Sequence, residues 1–301
     1  MELLFLGTGG SVPTPERNTT SIALRHGPEV LLFDCGEGTQ RQFMRSSFSY
    51  MKVTRIFITH LHGDHFLGLP GLIQSMNFNG RERQLAVYGP EGIQALMSAV
   101  LGLGYYDLGF EVKTVELVGG DAVEGDGFTV RAVEVEHTVP ALGYVFEENP
   151  MPGRFMPEKA KELGVPEGPL FAKLQGGQAV KVGSRTVGPE SVMGPQRNGL
   201  KMAYSGDTRP CLRFLEAARG ADLLVHEATV ASDLKEKAKA FGHSTAEEAG
   251  RFAAEAGVAK LYLVHFSGRY EDPSPLLEEA RRYFPESYLG VDLMTIEVRR
   301  H

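Results

Sequence analysis

A string of four metal-binding side chains constrains this chain more than any other feature of its sequence. His60, His62, Asp64 and His65 lie within the stretch "RIFITHLHGDHFLGLPGLIQ", directly after an apolar run that is typical of a strand. Histidines two positions apart in an extended loop face the same side, so His60 and His62 can share one metal. Gly63 permits the turn that directs Asp64 and His65 toward a second metal. The string therefore predicts two metal positions beside the end of a strand.

The remaining ligands must come from a chain that contains nine histidines in 301 residues. His137, Asp207 and His265 each close a strand-like segment, where ligands are usual in α/β proteins. Asp207 can bridge two metals, because each carboxylate oxygen can bind one. We therefore expect two ligand sets that share Asp207: His60, His62 and His137 for one metal, and Asp64, His65 and His265 for the other. Nitrogen-rich ligands favour zinc or another divalent transition metal, such as manganese, over magnesium or calcium.

Two such metals indicate hydrolysis. Metals about 3.5–4 Å apart can lower the pKa of a bridging water and stabilise both the attacking and the leaving oxygen, which makes a phosphodiester a natural substrate. The alternative is a chance cluster of surface histidines.

Short strand-like runs alternate with helix-like segments along most of the chain. Strands are expected at "ELLFLG", "EVLLFD", "VTRIFITH", "LKMAYSGD", "ADLLVHE" and "KLYLVHFS". Helices are expected after Asp64 and at Cys211–Ala218, Thr245–Ala256 and Pro275–Tyr283. This alternation predicts a layered α/β fold. The segment from about Pro150 to Pro195 is rich in Gly and Pro and lacks periodicity, so we expect either a functional arm or a decorative insertion there.

Composition favours a soluble protein of the cytoplasm. No apolar run approaches the ~18–20 residues of a membrane span, and the start "MELLFLGTGG" lacks the basic residues of a signal peptide. Cys35 and Cys211 are too few for a disulfide framework. The net charge of −7 argues globally against a nucleic-acid partner. Seven basic and two acidic residues between Lys173 and Arg213 are a local exception, suited to phosphate.

Several stretches resemble known families. "THLHGDH" resembles the signature of the metallo-β-lactamase superfamily. "GTGGSVPTPERNTTSIAL", "LFDCGEGTQRQ", "YSGDTRP", "HEAT", "GHST" and "HFSGRY" resemble the ribonuclease Z family of tRNA 3′-processing endonucleases, and they occur in that family's order. The resemblance implies one domain over residues 1–301, a four-layer αββα sandwich with two zinc ions at one edge, and an inserted flexible exosite arm over 150–195 that binds tRNA.

The same resemblance implies an activity and an assembly. The implied enzyme is a zinc-dependent endoribonuclease that removes the 3′ trailer from precursor tRNA just after the discriminator base. It would leave a 3′-hydroxyl on the tRNA and a 5′-phosphate on the trailer. The family also forms homodimers, so a homodimer is expected.

The resemblance assigns roles to further residues. Asp34, which closes "EVLLFD", matches a carboxylate that orients metal-bound histidines, although it could instead form the turn before Gly36. His243 in "GHST" matches a residue that assists the leaving oxygen, with Glu227 in "HEAT" as its partner. Asp64 can be a ligand only, or a ligand that also accepts a proton from the attacking water.

Other residues near these motifs have competing interpretations. His226 can take part in the site or simply pack, and Ser244 can cap a helix from Thr245 in a capping box with Glu247. Three residues are candidates for substrate contact, two beside the scissile phosphate and one in the arm: Arg269, Tyr270 and Lys173.

Two rival classes of function remain. The first is a hydrolase of the same fold that acts on a small molecule, such as a small phosphodiester, and the arm and the ordered motifs argue against it. The second is a non-hydrolytic protein, either an iron-binding redox module or a scaffold with an inactive site. The complete ligand set argues against a scaffold, and 301 residues leave no room for an added flavin domain.

Overall fold

The computed structural model describes residues 1–300. One compact unit comprises Met1–Glu147 and the chain from Leu200 onward, and Glu148–Gly199 forms a second. The strands are β1 (Glu2–Gly7), β2 (Gly9–Gly10), β3 (Ser21–His26), β4 (Glu29–Phe33), β5 (Val53–Phe57), β6 (Leu85–Gly89), β7 (Val112–Glu116), β8 (Ala122–Gly125), β9 (Phe128–Glu134), β10 (Leu142–Glu148), β11 (Val180–Val182), β12 (Arg185–Val187), β13 (Lys201–Tyr204), β14 (Leu223–Glu227), β15 (Leu261–Val264), β16 (Phe266–Ser267), β17 (Ser287–Leu289) and β18 (Thr295–Glu297).

The helices lie between these strands. They are α1 (Thr39–Met44), α2 (Gly63–Phe66), α3 (Leu69–Phe78), α4 (Ile93–Leu101), α5 (Pro157–Glu162), α6 (Pro169–Gln175), α7 (Leu212–Ala218), α8 (Lys235–Phe241), α9 (Ala246–Ala256) and α10 (Ser274–Arg281), with short 3₁₀ turns at Tyr50–Lys52, Pro189–Ser191 and Ser232–Leu234. None of the helices within residues 1–300 is long and apolar enough to cross a membrane.

Two mixed seven-stranded sheets form the centre of the first unit. The first sheet has the order β18-β1-β3-β4-β5-β6-β7, and the second has the order β17-β15-β14-β13-β10-β9-β8. β4 and β5 run parallel in the first sheet, and β13, β14 and β15 run parallel in the second. Because parallel strands end at the same edge, the residues that follow them can meet there.

Three apolar layers hold these sheets and their helices together. Large side chains such as Phe5, Phe57 and Tyr144 fill the space between the sheets. Residues of α3 and α4 pack on the outer face of the first sheet, and residues of α7, α9 and α10 pack on the outer face of the second. β1 is buried from Leu3 to Gly7, as its unbroken apolar run requires for a strand covered on both faces. The expected four-layer αββα sandwich is confirmed.

The helix α9 illustrates how closely the sequence specifies an element. Its buried positions are mostly alanine, spaced three or four residues apart, so that the helix can lie close to the sheet. Gly257 ends it in a left-handed conformation with φ of 62°. The expected range was Thr245–Ala256, and the observed helix is Ala246–Ala256.

The second unit has its own regular structure. It contains α5, α6 and the hairpin of β11 and β12. A small apolar cluster holds these elements together, and its buried members are Ala160, Val165, Leu174, Val180, Val187 and Val192. The rings of Phe155 and Phe171 pack beside them with centroids 4.9 Å apart. The unit spans Glu148–Gly199, whereas the expected bounds were 150–195, and it is less irregular than its Gly and Pro content indicated.

Candidate active site

The expected metal ligands converge at the ends of strands from both sheets. The loop after β5 and the first turn of α2 carry the four residues of the string: His60, His62, Asp64 and His65. Asp207 and His265 follow β13 and β15 at the parallel edge of the second sheet. His137 follows β9.

The first expected ligand set is assembled around His62. Its Nδ1 atom lies 3.0 Å from Nε2 of His60 and 3.2 Å from Nε2 of His137. Oδ2 of Asp207 lies 3.8 Å from Nε2 of His60. The structure therefore brings together one potential ligand atom from each of the four residues expected for this metal.

The second expected set is assembled around two carboxylates. Oδ2 of Asp64 lies 3.5 Å from Nε2 of His65 and 3.4 Å from Nε2 of His265. Oδ2 of Asp207 lies 3.3 Å and 3.1 Å from the same two nitrogens. Asp207 thus lies between the two sets, as a bridging ligand must.

The chemistry of these groups fits divalent metal ions. The potential ligand atoms of His60, His62 and His137 lie within 4.8 Å of one another, and so do those of Asp64, His65 and His265. Asp207 forms such a group with His60 and His65, and another with His243 and His265. Nε2 of His65 and Oδ1 of Asp207 are buried and have no hydrogen-bond partner among the described residues, which is costly unless a ligand is bound there. Five imidazoles and two carboxylates form a donor set that suits zinc.

Asp34 forms hydrogen bonds to an expected ligand and to its neighbours. It is completely buried, and its Oδ2 accepts hydrogen bonds from Nδ1 of His65 at 2.8 Å and from the hydroxyl of Tyr204 at 2.7 Å. Its Oδ1 accepts from the backbone N–H of Thr59 at 2.7 Å. A carboxylate bonded to Nδ1 of His65 fixes the tautomer whose Nε2 can bind a metal. These contacts favour the orienting role of Asp34 over the turn-forming one.

Left-handed backbone redirects two residues of the site. Asp34 has φ of 57° and His265 has φ of 60°, values that are uncommon outside glycine and that concentrate at functional sites. Gly10 packs directly against His265, because a Cβ at position 10 would lie 2.6 Å from Cε1 of the ring. The position of the His265 ring therefore requires glycine at residue 10.

Backbone groups orient two further ligands. The N–H of Ser11 donates to Oδ2 of Asp64 at 2.7 Å. Nδ1 of His137 donates to the carbonyl of Gly242 at 2.8 Å, which leaves Nε2 of His137 directed at His62.

Glu227 and His243 form a hydrogen-bonded pair beside Asp207. Nδ1 of His243 lies 3.0 Å from Oε1 of Glu227 and 3.8 Å from Oδ2 of Asp207. The N–H of Thr208 donates to Oε1 of Glu227 at 2.8 Å, and the hydroxyl of Thr229 donates to Oε2 at 2.6 Å. Because Nδ1 of His243 is bonded to Glu227, Nε2 is the ring nitrogen that this pair does not use.

Burial and neighbouring charges set the pKa values of these groups. Burial lowers the pKa of His60 well below its ordinary value. Burial opposes protonation of His243 as well, but the carboxylates of Glu227 and Asp207 together outweigh it and raise the pKa of His243 to about 9. Burial favours neutral Asp64 and Asp207, yet the surrounding imidazoles hold both pKa values below the ordinary range. Ionised carboxylates and a neutral His60 are the forms that bind metal.

The capping residue of α9 differs from the expected one. Thr245 is the N-cap, and it forms the capping box with Glu248 rather than Ser244 with Glu247. The hydroxyl of Ser244 instead donates to the carbonyl of Thr208 at 2.6 Å. A capping box needs Ser or Thr three residues before Glu, and both Ser244–Glu247 and Thr245–Glu248 meet this spacing. The sequence alone therefore could not distinguish the two pairs.

His226 lies away from the ligand atoms and packs in the second sheet. Nδ1 donates to the carbonyl of Glu227 at 2.8 Å, and the ring lies 4.9 Å from that of Phe252. These contacts favour the packing interpretation.

The three substrate-contact candidates have different surroundings. The hydroxyl of Tyr270 accepts from the N–H of Ala231 at 2.9 Å, so this side chain already has a structural partner. Arg269 is exposed, and its guanidinium makes no hydrogen bond or ion pair within residues 1–300. Lys173 is exposed on α6 in the second unit.

Sequence reasoning missed the hydroxyl groups that connect this site. Thr59, Tyr204 and Thr229 each donate to a buried carboxylate there. Thr59 directly precedes His60, and Thr229 follows Glu227 by two positions, so proximity to a predicted site residue was the available signal.

Known proteins resemble this chain in fold, and in sequence over its full length. Residues 1–149 match the family model described as anti-Pycsar protein Apyc1, and residues 191–266 match a beta-lactamase superfamily domain. Ribonuclease Z of Methanosarcina acetivorans is 50% identical over 299 residues, which are 99% of this chain and 98% of that protein. Ribonuclease Z of Methanothermobacter thermautotrophicus is 51% identical over 301 residues, covering 100% and 98% respectively.

A solved structure agrees with these relatives. The crystal structure of the short form of human tRNase Z has a TM-score of 0.73 and 29% identity, and the match covers 99% of this chain and 100% of that one. Identity at half of all positions across the full length confirms the resemblance carried by the short motifs: the chain belongs to the ribonuclease Z family of tRNA 3′-processing endoribonucleases.

Proposed function

We propose that this endoribonuclease cuts precursor tRNA just after the discriminator base and releases the 3′ trailer. The products would be a tRNA with a 3′-hydroxyl and a trailer with a 5′-phosphate. The observation that carries the proposal is the combination of two ligand clusters around Asp207 with the Glu227–His243 pair beside them.

Seven residues would hold two zinc ions, or another divalent transition metal, in each chain. One ion would be held by His60, His62 and His137, the other by Asp64, His65 and His265, and both by Asp207. Bound metals would activate water and stabilise the negative charge that develops on the phosphate oxygens.

The protein's own groups prepare these ligands and manage the protons. Asp34 bonds to Nδ1 of His65 and thereby keeps Nε2 available as a ligand. Asp64 is held by the N–H of Ser11, which supports its role as a fixed ligand, and its second oxygen could also accept a proton from the attacking water.

His243 would supply the proton that the leaving oxygen needs. Water forms a new bond to phosphorus, the bond from phosphorus to the ribose 3′-oxygen breaks, and Nε2–H of His243 protonates that oxygen. Glu227 bonds to Nδ1 and favours the protonated imidazole, so that His243 carries the required proton near neutral pH.

The second compact unit would contribute to tRNA binding. Residues 148–199 contain seven Lys or Arg and five Asp or Glu, a net charge of +2 in a chain whose formal net charge is −7. Lys173, Lys181 and Arg185 are exposed there and make no ion pair within the described residues. Free cations of this kind attract RNA phosphates.

The basic stretch seen in the sequence does not act as one patch. Of its seven basic residues, three lie outside the second unit: Lys201, Arg209 and Arg213. Lys201 and Arg213 each pair with a glutamate, Glu147 and Glu134 respectively, and Nε of Arg209 donates to the carbonyl of Lys239. The electrostatic support for RNA binding therefore comes from the residues within 148–199.

Assembly and location complete the proposal. We expect a homodimer in the cytoplasm, on the basis of the family resemblance and of two buried, unpaired cysteines. Light scattering coupled to size-exclusion chromatography tests the dimer, and fractionation of cells tests the location.

One precursor tRNA with a labelled trailer tests the activity. The protein is assayed as purified, after chelation, and after chelation followed by zinc or manganese. Metal-restored cleavage at the discriminator base is the expected result. An intact precursor together with turnover of a small phosphodiester would favour the small-molecule rival, and failure of metal-loaded protein on both substrates would exclude the hydrolase.

A further inference from the structure

The hydroxyl of Thr229 lies between a proposed metal ligand and the proposed proton donor. Its Oγ1 donates to Oε2 of Glu227 at 2.6 Å and lies 2.9 Å from Nδ1 of His265. Nδ1 of His243 is farther away, at 3.3 Å, and is closer to Glu227. The residue itself is 9% exposed, so water competes little for these contacts.

The donors and acceptors in this group leave one consistent arrangement. A hydroxyl has a single proton, and the ionised Glu227 can only accept, so the hydroxyl proton of Thr229 goes to Glu227. The oxygen of Thr229 is then free to accept N–H from Nδ1 of His265. This tautomer leaves Nε2 of His265 unprotonated, and that atom lies 3.1 Å from Oδ2 of Asp207.

The same arrangement occurs in the other sheet. Thr59 Oγ1 lies 3.0 Å from both oxygens of Asp34 and 3.0 Å from Nδ1 of His60. A carboxylate, a threonine hydroxyl and a ligand histidine therefore form a chain in each sheet. Asp34, however, bonds to a second ligand histidine, whereas Glu227 bonds to His243.

We infer that Thr229 is a positioning residue that links the metal ligand His265 to the Glu227–His243 pair. Glu227 then acts on two histidines: it holds His243 directly, and it fixes the tautomer of His265 through Thr229. The role assigned to His243 rests on the proposed function, whereas the orientation of His265 does not. Loss of the Thr229 hydroxyl is expected to weaken metal binding as well as cleavage, although Thr229 is not a ligand.

Three variants separate this inference from a general loss of packing. Thr229→Val keeps the shape of the side chain and removes the hydroxyl, and Thr229→Ser keeps the hydroxyl. Thr54→Val is the matched control, because Thr54 is a buried threonine whose hydroxyl donates to a carboxylate, Glu29, at 2.7 Å outside the site. Zinc affinity is measured by competition with a chromogenic chelator, alongside thermal unfolding of the zinc-free protein and precursor cleavage.

The inference predicts that Thr229→Val lowers zinc affinity by about 10–100-fold, the usual cost of losing a group that orients a ligand. Thr229→Ser should stay near the wild-type affinity, and Thr54→Val should alter unfolding alone. If Thr229→Val does not fold, Thr229→Ala takes its place. Wild-type zinc affinity in the variant without the hydroxyl, or an equal loss in Thr229→Ser, would overturn the inference.

Zinc affinity is measured without RNA, so the inference and the proposed function can fail separately. If the wild-type protein leaves precursor tRNA intact while Thr229→Val still loses zinc, the link from Thr229 to His265 stands and the proposed substrate falls.

Discussion

The imidazole of His243 faces two carboxylates, Glu227 at 3.0 Å and Asp207 at 3.8 Å. The nearer one holds its Nδ1, and the farther one belongs to both proposed ligand sets. His243 thus lies beside the proposed metal positions, and it belongs to neither of the two proposed ligand sets. This arrangement allows proton transfer to be tested apart from metal binding.

Replacing His243 with Ala should leave the metal content unchanged and greatly slow cleavage of precursor tRNA. Loss of a positioned general acid typically costs about 10²–10⁴-fold in rate. Single-turnover cleavage and elemental analysis of the same preparation measure the two quantities together. A metal-free variant would instead make His243 a ligand.

A substrate with a good leaving group is the control for this variant. Bis(p-nitrophenyl) phosphate releases a nitrophenolate, which needs no proton at neutral pH, so His243→Ala should retain far more of its activity there. An equal loss on both substrates would argue against proton transfer.

Glu227→Gln should change the pH dependence of cleavage. The Glu227 carboxylate raises the pKa of His243, and an uncharged amide at this position removes that effect. The acid form of His243 is populated only below its pKa, so a lower pKa moves the alkaline decline in kcat to lower pH. Rates on precursor tRNA from neutral to alkaline pH measure the shift, and an unmoved decline would contradict the role of Glu227.

The histidines that are proposed to bind metal could be predicted from the sequence, but the hydroxyl residues that orient them could not. Histidine is scarce, so a cluster such as His60 and His62 stands out, and His265 stands out at the end of an apolar strand. Thr59 and Thr229 are common hydroxyl residues whose role comes from three-dimensional contacts. Tyr204 reaches Asp34 from the opposite sheet, a contact that no local pattern encodes.

At the scale of elements, a short parallel pair positions His265. β2 pairs with β16, which aligns Gly9 with Phe266 and Gly10 with Ser267. His265 immediately precedes β16, and its ring occupies the space that a side chain at residue 10 would need. Pairing of β2 with β16 therefore fixes the position of the His265 ring, although β2 lies near the N-terminus and His265 lies near the C-terminus.

Gly10→Ala should displace the His265 ring and weaken metal binding by about 10–100-fold, as expected when the orientation of a ligand is lost. Gly102→Ala is the control, because the nearest atom to a Cβ there is an ordinary contact at 3.4 Å. Zinc titration of both variants measures the effect. Equal affinities would show that the ring can move without cost.

Long periodic elements could be predicted more closely than short ones. The eleven-residue α9 differs from its expected range by one residue, since its apolar face and its caps agree. In the second unit, α5 and α6 have six and seven residues and are separated by Gly and Pro. Segments this short do not show the 3.6-residue period of a helix, so the sequence predicted only an irregular stretch there.

At the scale of the whole molecule, the second unit is inserted in the chain between two strands, β10 and β13, that pair antiparallel to each other. β10 pairs with β13 so that Glu147 lies opposite Lys201. The ends left by removing residues 148–199 are therefore neighbours in one sheet, and a hairpin turn of about two to five residues can join them.

Replacing Glu148–Gly199 with a short Gly-Ser turn should separate tRNA binding from chemistry. Loss of a second binding contact is expected to reduce precursor cleavage by about 10²-fold or more, mainly through KM. Turnover of bis(p-nitrophenyl) phosphate should remain near that of the intact chain.

Charge reversal provides a matched control for this replacement. Lys173→Glu, Lys181→Glu and Arg185→Glu together keep the unit and remove three of its unpaired cations, so they should reproduce the defect and change its salt dependence. Equal losses on precursor tRNA and on the small substrate would rule out an RNA-binding role for the unit.

The division of the proposed ligands between the two sheets also determines how much of the chain must be synthesised before the site can form. His60 follows β5 of the first sheet, whereas His265 follows β15 of the second. A ribosome must therefore translate past His265 before the full proposed ligand set exists, even though the N-terminal strands can begin to fold earlier. A chain that stalls before β15 would contain the His60–His65 string but could not cut the tRNAs on which translation depends.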